Sequence, residues 1–227
     1  MKIDKVYIMH YKKGTDREIF INNLLENINI PYEIITDFDR EDITDDMLKK
    51  YYDLDPIKCL NKLKLWGFSE PRILNYAEIS LTIKHIIALY KISKECENAG
   101  LILENDAIPF FSNFMDEINN SINEDKNWDA IFLGKGCGDE FINNKKKERI
   151  SENLFKIDHP ASNCTESFCI KSDVSKKIAD LMVPFQLPID FELAFSFYKM
   201  NLNVYWRLPS IFEQGSKNGK CESGLRI

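Results

Sequence analysis

Apolar and polar positions alternate from Lys5 to Tyr11, and the β-rich run Val6-Tyr7-Ile8-Met9 predicts a first strand leading into a Lys12-Lys13-Gly14 loop. Behind that loop Ile21, Leu24, Leu25 and Ile28 fall at helical spacing, which predicts a helix from about Asp16 to Asn29 with Thr15 and Glu18 as a capping box. Pro31 stops it, and Tyr32-Glu33-Ile34-Ile35 predicts a second strand that runs into the acids of Asp37-Phe38-Asp39. Strand, helix, strand is the unit of a parallel sheet with a right-handed crossover.

The pattern weakens between Arg40 and Arg72 into short helical pieces broken by Pro56, Gly67 and Pro71, an excursion rather than core. Tyr76 to Glu97 is the longest periodic segment, with Ile79, Ile83, Ile86, Ile87 and Tyr90 on one face and Leu81, His85, Leu89 and Ile92 on another. A helix apolar over more than half its circumference belongs inside the fold. It feeds through Ala99-Gly100 into Leu101-Ile102-Leu103, a buried strand. Further helices are predicted from Ser112 to about Ile122, from a Ser172 cap to Pro184, and from Phe191 to about Met200. Further strands are predicted at Asp129–Leu133, Phe155–Ile157, Ser167–Ile170 and Asn203–Pro209. Gly134 to Glu152 reads as loop, and the tail from Gln214 on is polar and aperiodic.

The stretch Leu101-Ile102-Leu103-Glu104-Asn105-Asp106-Ala107-Ile108-Pro109 carries the chemistry. A buried strand ends in two carboxylates two residues apart, which project to the same side if the extension persists through Asn105. Close acids raise each other's pKa unless a cation compensates, and hard divalent ions select such oxygen ligands. In open α/β sheets ligands bind beyond the carboxyl ends of strands, so Glu104 and Asp106 are candidate metal ligands. An acidic turn after a strand is the other reading of the same residues.

Composition narrows the partners. With 44% hydrophobic and 12% aromatic residues in 227, the chain has ample material for one globular domain spanning residues 1–227. Thirty Lys+Arg against thirty-six Asp+Glu give a formal charge of −6, which argues against nucleic acid or an anionic membrane as main partner. No apolar run approaches the roughly 20 residues that span a bilayer. The six cysteines (Cys59, Cys96, Cys137, Cys164, Cys169, Cys221) form no C-x-x-C pair and read as free thiols in a reducing cytoplasm.

In this order the features resemble glycosyltransferase family 25, which includes lipopolysaccharide and collagen hydroxylysine galactosyltransferases. Val6 to Tyr11 followed by Asp16-Arg17 is similar to the family's opening strand, Asn-Leu and Asp-Arg. Glu78-Ile79 ahead of His85 resembles its Glu-Ile/Val-Gly-Cys-x-x-Ser-His helix, and Leu101 to Pro109 its Ile-Leu-Glu-Asp-Asp-Ala. Trp128-Asp129 with Leu133-Gly134, Pro188-Ile189-Asp190 and Leu208 to Gln214 match its later motifs. The chain departs from the family at His10 and Tyr11, at Ser80 and Leu81, at Lys84 and at Asn105, which replaces the middle acid. The resemblance implies an α/β fold of the GT-A type with a mostly parallel central sheet and helices on both faces. It also implies a UDP-sugar donor, Mn²⁺ or Mg²⁺, and inverting transfer to a hydroxyl of a glycan or glycoprotein.

Such a transfer needs charge neutralised on the departing diphosphate, a base for the acceptor hydroxyl, and alignment of the two substrates. Asp106 and Glu104 fit the first service. Asp190, between Pro188 and the apolar Phe191, fits the base, with Glu192 in reserve; an N-cap of the helix is Asp190's alternative. Arg17 and Asp37 fit nucleotide contacts at the ends of the first two strands, or else a surface ion pair and a turn. Gln214 fits the diphosphate or an ordinary surface amide, and His85 a substrate contact or a core histidine. Two rival functions stand beside transfer: a nucleotide-sugar-binding protein that has lost turnover, and a sugar nucleotidyltransferase, against which the sparse Lys12-Lys13-Gly14 loop speaks.

Overall fold

The computed structural model describes residues 1–136, 138, 146–157 and 164–225. Its first three strands follow the hydrophobic pattern. β1 (Ile3–Met9) lies between β2 (Tyr32–Ile35) and β3 (Ala99–Glu104) and is parallel to both, with Met9 level with Ile35 on one side and Glu104 on the other. β5 (Ala130–Phe132), β6 (Lys147–Arg149), β7 (Leu154–Ile157), β8 (Ser167–Lys171) and β9 (Val204–Arg207) complete an eight-stranded sheet of order β2-β1-β3-β8-β5-β9-β7-β6. β8 and β7 run antiparallel to their neighbours, so the sheet is mixed, with the other six strands pointing one way. A separate ribbon pairs β4 (Ala107–Pro109) with β10 (Phe212–Gln214), which pins the chain after Asp106 to the chain before the tail.

Alternation along the strands sorts the core into two layers. Tyr7, Met9 and Ile102 face one layer with Ile79, Ile83 and Ile86 of α4 (Tyr76–Glu95), while Val6, Ile8, Leu101 and Leu103 face the other with Ile21 and Leu24 of α1 (Glu18–Leu25). α5 (Phe114–Glu124) joins the second layer, and α6 (Ser172–Met182) and α7 (Ile189–Met200) the first. A Cβ on Gly100 would stand 2.4 Å from Ile92 Cγ1, so this glycine is what lets α4 close against β3.

Helix starts differ from expectation. Thr15–Arg17 forms a 3-10 turn without side-chain capping, and α1 ends at Leu25 rather than near Asn29. The capping box is instead at α4, where the Asn75 side chain accepts from Glu78 N (2.9 Å) and Glu78 accepts from Asn75 N (3.0 Å). α5 starts at Phe114, and Ser172 is the first residue of α6, its hydroxyl donating to Glu97 O at 3.1 Å. Part of the expected loop, Lys147–Arg149, is a strand; residues 137 and 139–145 lie outside the described residues.

The excursion is structured. Thr44 caps α2 (Asp45–Tyr51), Asp55 caps α3 (Pro56–Leu63), and a 3-10 turn at Lys64–Trp66 ends at Gly67 with φ of 79°. Cys59, Leu63 and Trp66 pack on Leu187 and Phe191, so this segment buttresses the start of α7. No helix among the described residues is long and apolar enough to cross a membrane.

Candidate active site

β3 delivers its last residue, Glu104, and the turn Asn105-Asp106 to the floor of a groove; all three are buried. One half of the groove, about 630 Å³, is lined by Arg17, His10, Lys84, Asn105 and Asp106. The other half, about 1390 Å³, is lined by Asp190, Phe191, Arg72 and Thr165. Glu104, Gln214, Leu81 and Ser216 line both halves and form the boundary.

Asp106 is 1% exposed. Its Oδ2 accepts from Ser216 N at 3.2 Å and lies 4.0 Å from Arg17 Nη1, while Oδ1 has no hydrogen-bond partner. A buried carboxylate oxygen left unpaired is costly unless something else satisfies it. Asn105 uses both ends of its amide: Oδ1 accepts from Arg17 at 2.5 Å and Nδ2 donates to His10 Nδ1 at 3.1 Å.

Glu104 accepts from Thr165 Oγ1 at 2.6 Å, and burial followed by the charge of Asp106 pushes its carboxyl up to about 8. Burial pushes Glu166 up to about 7; its Oε1 accepts from Gly136 N at 2.6 Å. A Cβ on Gly134 would meet that oxygen at 2.1 Å, so the acid occupies space only a glycine leaves. Three mutually repelling buried carboxylates and one orphaned oxygen suit a hard cation between Asp106, Glu104 and a ligand that brings its own oxygens. Among the described residues no group of three or more His, Cys, Asp or Glu is arranged to hold a metal by itself.

Asp190 sits in the first turn of α7, half-buried. Pro188, not Asp190, is the N-cap residue, and Asp190 Oδ1 accepts only from the adjacent Phe191 N at 2.9 Å. Burial raises its pKa, against the backbone hydrogen bonds that lower it. Glu192 points elsewhere: it is fully buried, ion-paired with Lys62, and accepts from Gln186 N (3.3 Å) and Leu187 N (3.0 Å). Its oxygens are consumed in holding the turn before α7, and it lines neither half of the groove.

The remaining expected residues divide. Gln214, at the end of β10, lines both halves, with its Oε1 buried and unpartnered. Arg17 reaches the groove and also donates to Glu222 O at 2.5 Å, tethering the tail. His85 is fully buried behind Glu104 and lines neither half. Its Nδ1 donates to Leu81 O (2.9 Å), its ring stacks on Phe168 (6.2 Å, 6°), and burial lowers its pKa to about 4. The neutral ring leaves Nε2 unpartnered, 3.9 Å from Glu104 Oε1. Asp37 is exposed and lines neither half; β2 ends two residues before it at Ile35, and Phe38 after it takes a left-handed φ of 64°. The acid turned inward is Asp39, which accepts from Lys12 N (3.1 Å) and pairs with buried Lys84; Lys84 also donates to His10 O.

No protein-family model matches this chain, and no curated protein does. Among solved structures it is similar to the mannosyltransferase PcManGT from Pyrobaculum calidifontis in complex with GDP-Man and Mn²⁺. That match has a TM-score of 0.53 and 12% identity and covers 99% of this chain but 59% of that one. It is also similar to a UDP-glucose pyrophosphorylase complexed with UDP-glucose, with TM-score 0.50 and 10% identity over 96% of each chain. With its six like-directed strands, its helices on both faces and its acid-ended central strand, the chain has the fold of the GT-A type nucleotide-diphospho-sugar transferases.

Proposed function

We propose that residues 1–227 form a single glycosyltransferase domain that moves a sugar from a UDP-sugar to a hydroxyl of a glycan or glycoprotein, by single displacement with inversion. The observation that carries this reading is the orphaned Oδ1 of buried Asp106 at the end of β3, in a groove whose other half holds the half-buried Asp190. The family 25 resemblance supports the same assignment, because its acid-ended strand and its Pro-x-Asp fall on these two residues. The five described cysteines are free thiols, which suits a reducing, cytoplasmic setting.

In this reading Asp106 and Glu104 hold Mn²⁺ or Mg²⁺ together with the diphosphate oxygens. A bound divalent ion supplies neutralisation of the charge that develops on the departing nucleoside diphosphate. Arg17 adds a guanidinium on the same side, and Gln214 offers its amide at the boundary where the two substrates meet. Asp190 takes the proton of the acceptor hydroxyl as that oxygen forms its bond to the anomeric carbon; the bond to the diphosphate breaks and its electron pair leaves with the nucleotide. Burial raises the basicity of Asp190 toward working pH, as a general base requires. Base and diphosphate site on opposite halves of one groove suit an in-line displacement.

Melting curves with a panel of UDP-, GDP- and CMP-sugars, each with and without Mn²⁺, test the reading. Ligand at 100 times its Kd adds about 2.7 kcal/mol, roughly 5 to 10 °C for a chain of this size. A Mn²⁺-dependent rise is expected with UDP-sugars; no response to any sugar nucleotide would rule the transferase out. A rise with UTP plus a sugar 1-phosphate, with pyrophosphate released, would favour a nucleotidyltransferase.

A further inference from the structure

Asp106 Oδ1 has a counterpart: Gln214 Oε1 is a second buried acceptor oxygen without a hydrogen-bond partner, on a residue that lines the same half of the groove. The two residues lie far apart in sequence and are brought side by side by the β4–β10 ribbon, in which Gln214 is level with Ala107. Beyond Gln214 the chain is laced to the Asp106 turn, Gly215 N donating to Asp106 O at 2.8 Å and Ser216 N to Asp106 Oδ2 at 3.2 Å. A Cβ on Gly215 would stand 3.2 Å from Asp106 O and 3.1 Å from Ile108 Cδ1, so a glycine permits this close approach. Arg17 does not serve the two orphaned oxygens. Its Nη1 donates to Asn105 Oδ1 and stands 4.0 Å from the other oxygen of Asp106, and its Nη2 donates to Glu222 O. Among the described residues no donor reaches either atom.

We propose that Gln214 is a protein ligand of the divalent ion, its amide oxygen joining Asp106 Oδ1 and Glu104. The proposal rests on the transferase reading for the identity of the ion. Neither orphaned oxygen carries a proton, so the two cannot satisfy each other, whereas a cation satisfies both at once. A sugar hydroxyl would serve one of them and leave the charge of Asp106 buried and uncompensated. Glutamine carbonyl oxygens are ordinary ligands of hard divalent ions beside carboxylates. The assignment also fits the scarcity of acids: no group of three or more His, Cys, Asp or Glu among the described residues can hold a metal, and an amide supplies the missing protein oxygen. With Oε1 on the ion, Nε2 is left to donate to the diphosphate that the same ion holds. The ion then ties the end of β10 to the turn after β3.

Mn²⁺ alone is the probe. It is titrated into the full chain without nucleotide, following the loss of the free-ion EPR signal, and saturable binding is expected. Gln214→Leu keeps the bulk and removes the oxygen, and should weaken binding by about tenfold or more; Gln214→Glu adds charge at the same reach, and should tighten it by about tenfold or more. Melting in chelator separates a ligand from a structural residue: the Leu variant should melt close to the native chain, and the Glu variant below it until Mn²⁺ is restored. No saturable binding by the native chain, native affinity in either variant, or a Leu variant that melts far below the native chain overturns the proposal. UDP-sugar added to each chain keeps the two claims apart. The expected Mn²⁺ series beside no UDP-sugar binding removes the transferase reading and leaves the ion site standing, while UDP-sugar binding in chelator beside no Mn²⁺ binding does the reverse.

Discussion

The two halves of the groove are built on different principles. The proposed donor half is assembled at the ends of β1 and β3 from unsatisfied electrostatics: buried Glu104 and Asp106 with Glu166 buried behind them, an unpaired carboxylate oxygen, and Arg17 at 4.0 Å rather than in contact with Asp106. The proposed acceptor half is assembled by packing, with α3 and Trp66 wedged against Leu187 and Phe191, and Asp190, which lines it together with Glu78 and Glu104, accepts only from the adjacent Phe191 N. A site that awaits a charged ligand leaves electrostatics unsatisfied, while a site that awaits a hydroxyl needs shape and one desolvated base.

The sharpest way to separate the halves is Asp190→Asn. Transfer should fall by about 10² to 10⁴, the usual worth of a positioned general base, with donor Kd and melting temperature nearly unchanged. A fully active, stable variant removes the base assignment. Loss of donor binding would instead move Asp190 into the donor half.

Glu192→Ala probes the packing of the acceptor half. Removing the buried partner of Lys62 and the acceptor of two backbone N–H groups should cost about 2 to 4 kcal/mol, seen in chemical denaturation. Mn²⁺-dependent donor affinity should survive in the folded fraction. Unchanged stability with lost transfer would show that Glu192, not Asp190, meets the substrate.

A smaller effect is expected from pH on the donor half. Glu104 and Glu166 have folded pKa values raised from 4.5 to about 8 and about 7. Their contribution to stability is therefore full below the ordinary carboxyl value and lost as pH rises through about 7 to 8. The melting temperature of the free protein should fall over that window, and Glu104→Gln should flatten the decline. A melting temperature that rises across it would contradict the electrostatic picture of this half.

Much of the donor half was legible in the sequence, because it depends on strand ends. The run Leu101 to Asp106 announces a buried strand ending in acid, and period-2 alternation in β1 and β3 sorts the two core layers correctly. What escaped was non-local. Asp39 and Lys84 are 45 residues apart and meet only through the fold, and Thr165-Glu166 are brought to Glu104 by the pairing of β8 with β3. Asp37 and Asp39 both follow β2 in sequence, but the chain takes a left-handed φ at Phe38 and leaves Asp37 exposed and Asp39 buried. Thr15 and Glu18 match a capping box as well as Asn75 and Glu78 do, and only the entry geometry of the helix separates them. The acceptor half was least legible, since it depends on how residues 45–66 pack on α7, where short amphipathic pieces give no period long enough to read.

On the proposed function, the unpaired oxygen of Asp106 is kept for a cation that brings a sugar nucleotide with it. Calorimetric titration of the full chain and of Asp106→Asn with UDP-sugar, at saturating Mn²⁺ and in chelator, tests it directly. Mn²⁺-dependent binding is expected in the native chain and its loss, by at least about tenfold in Kd, in a variant that melts normally. Binding of the variant with the native affinity and the native Mn²⁺ dependence would contradict it.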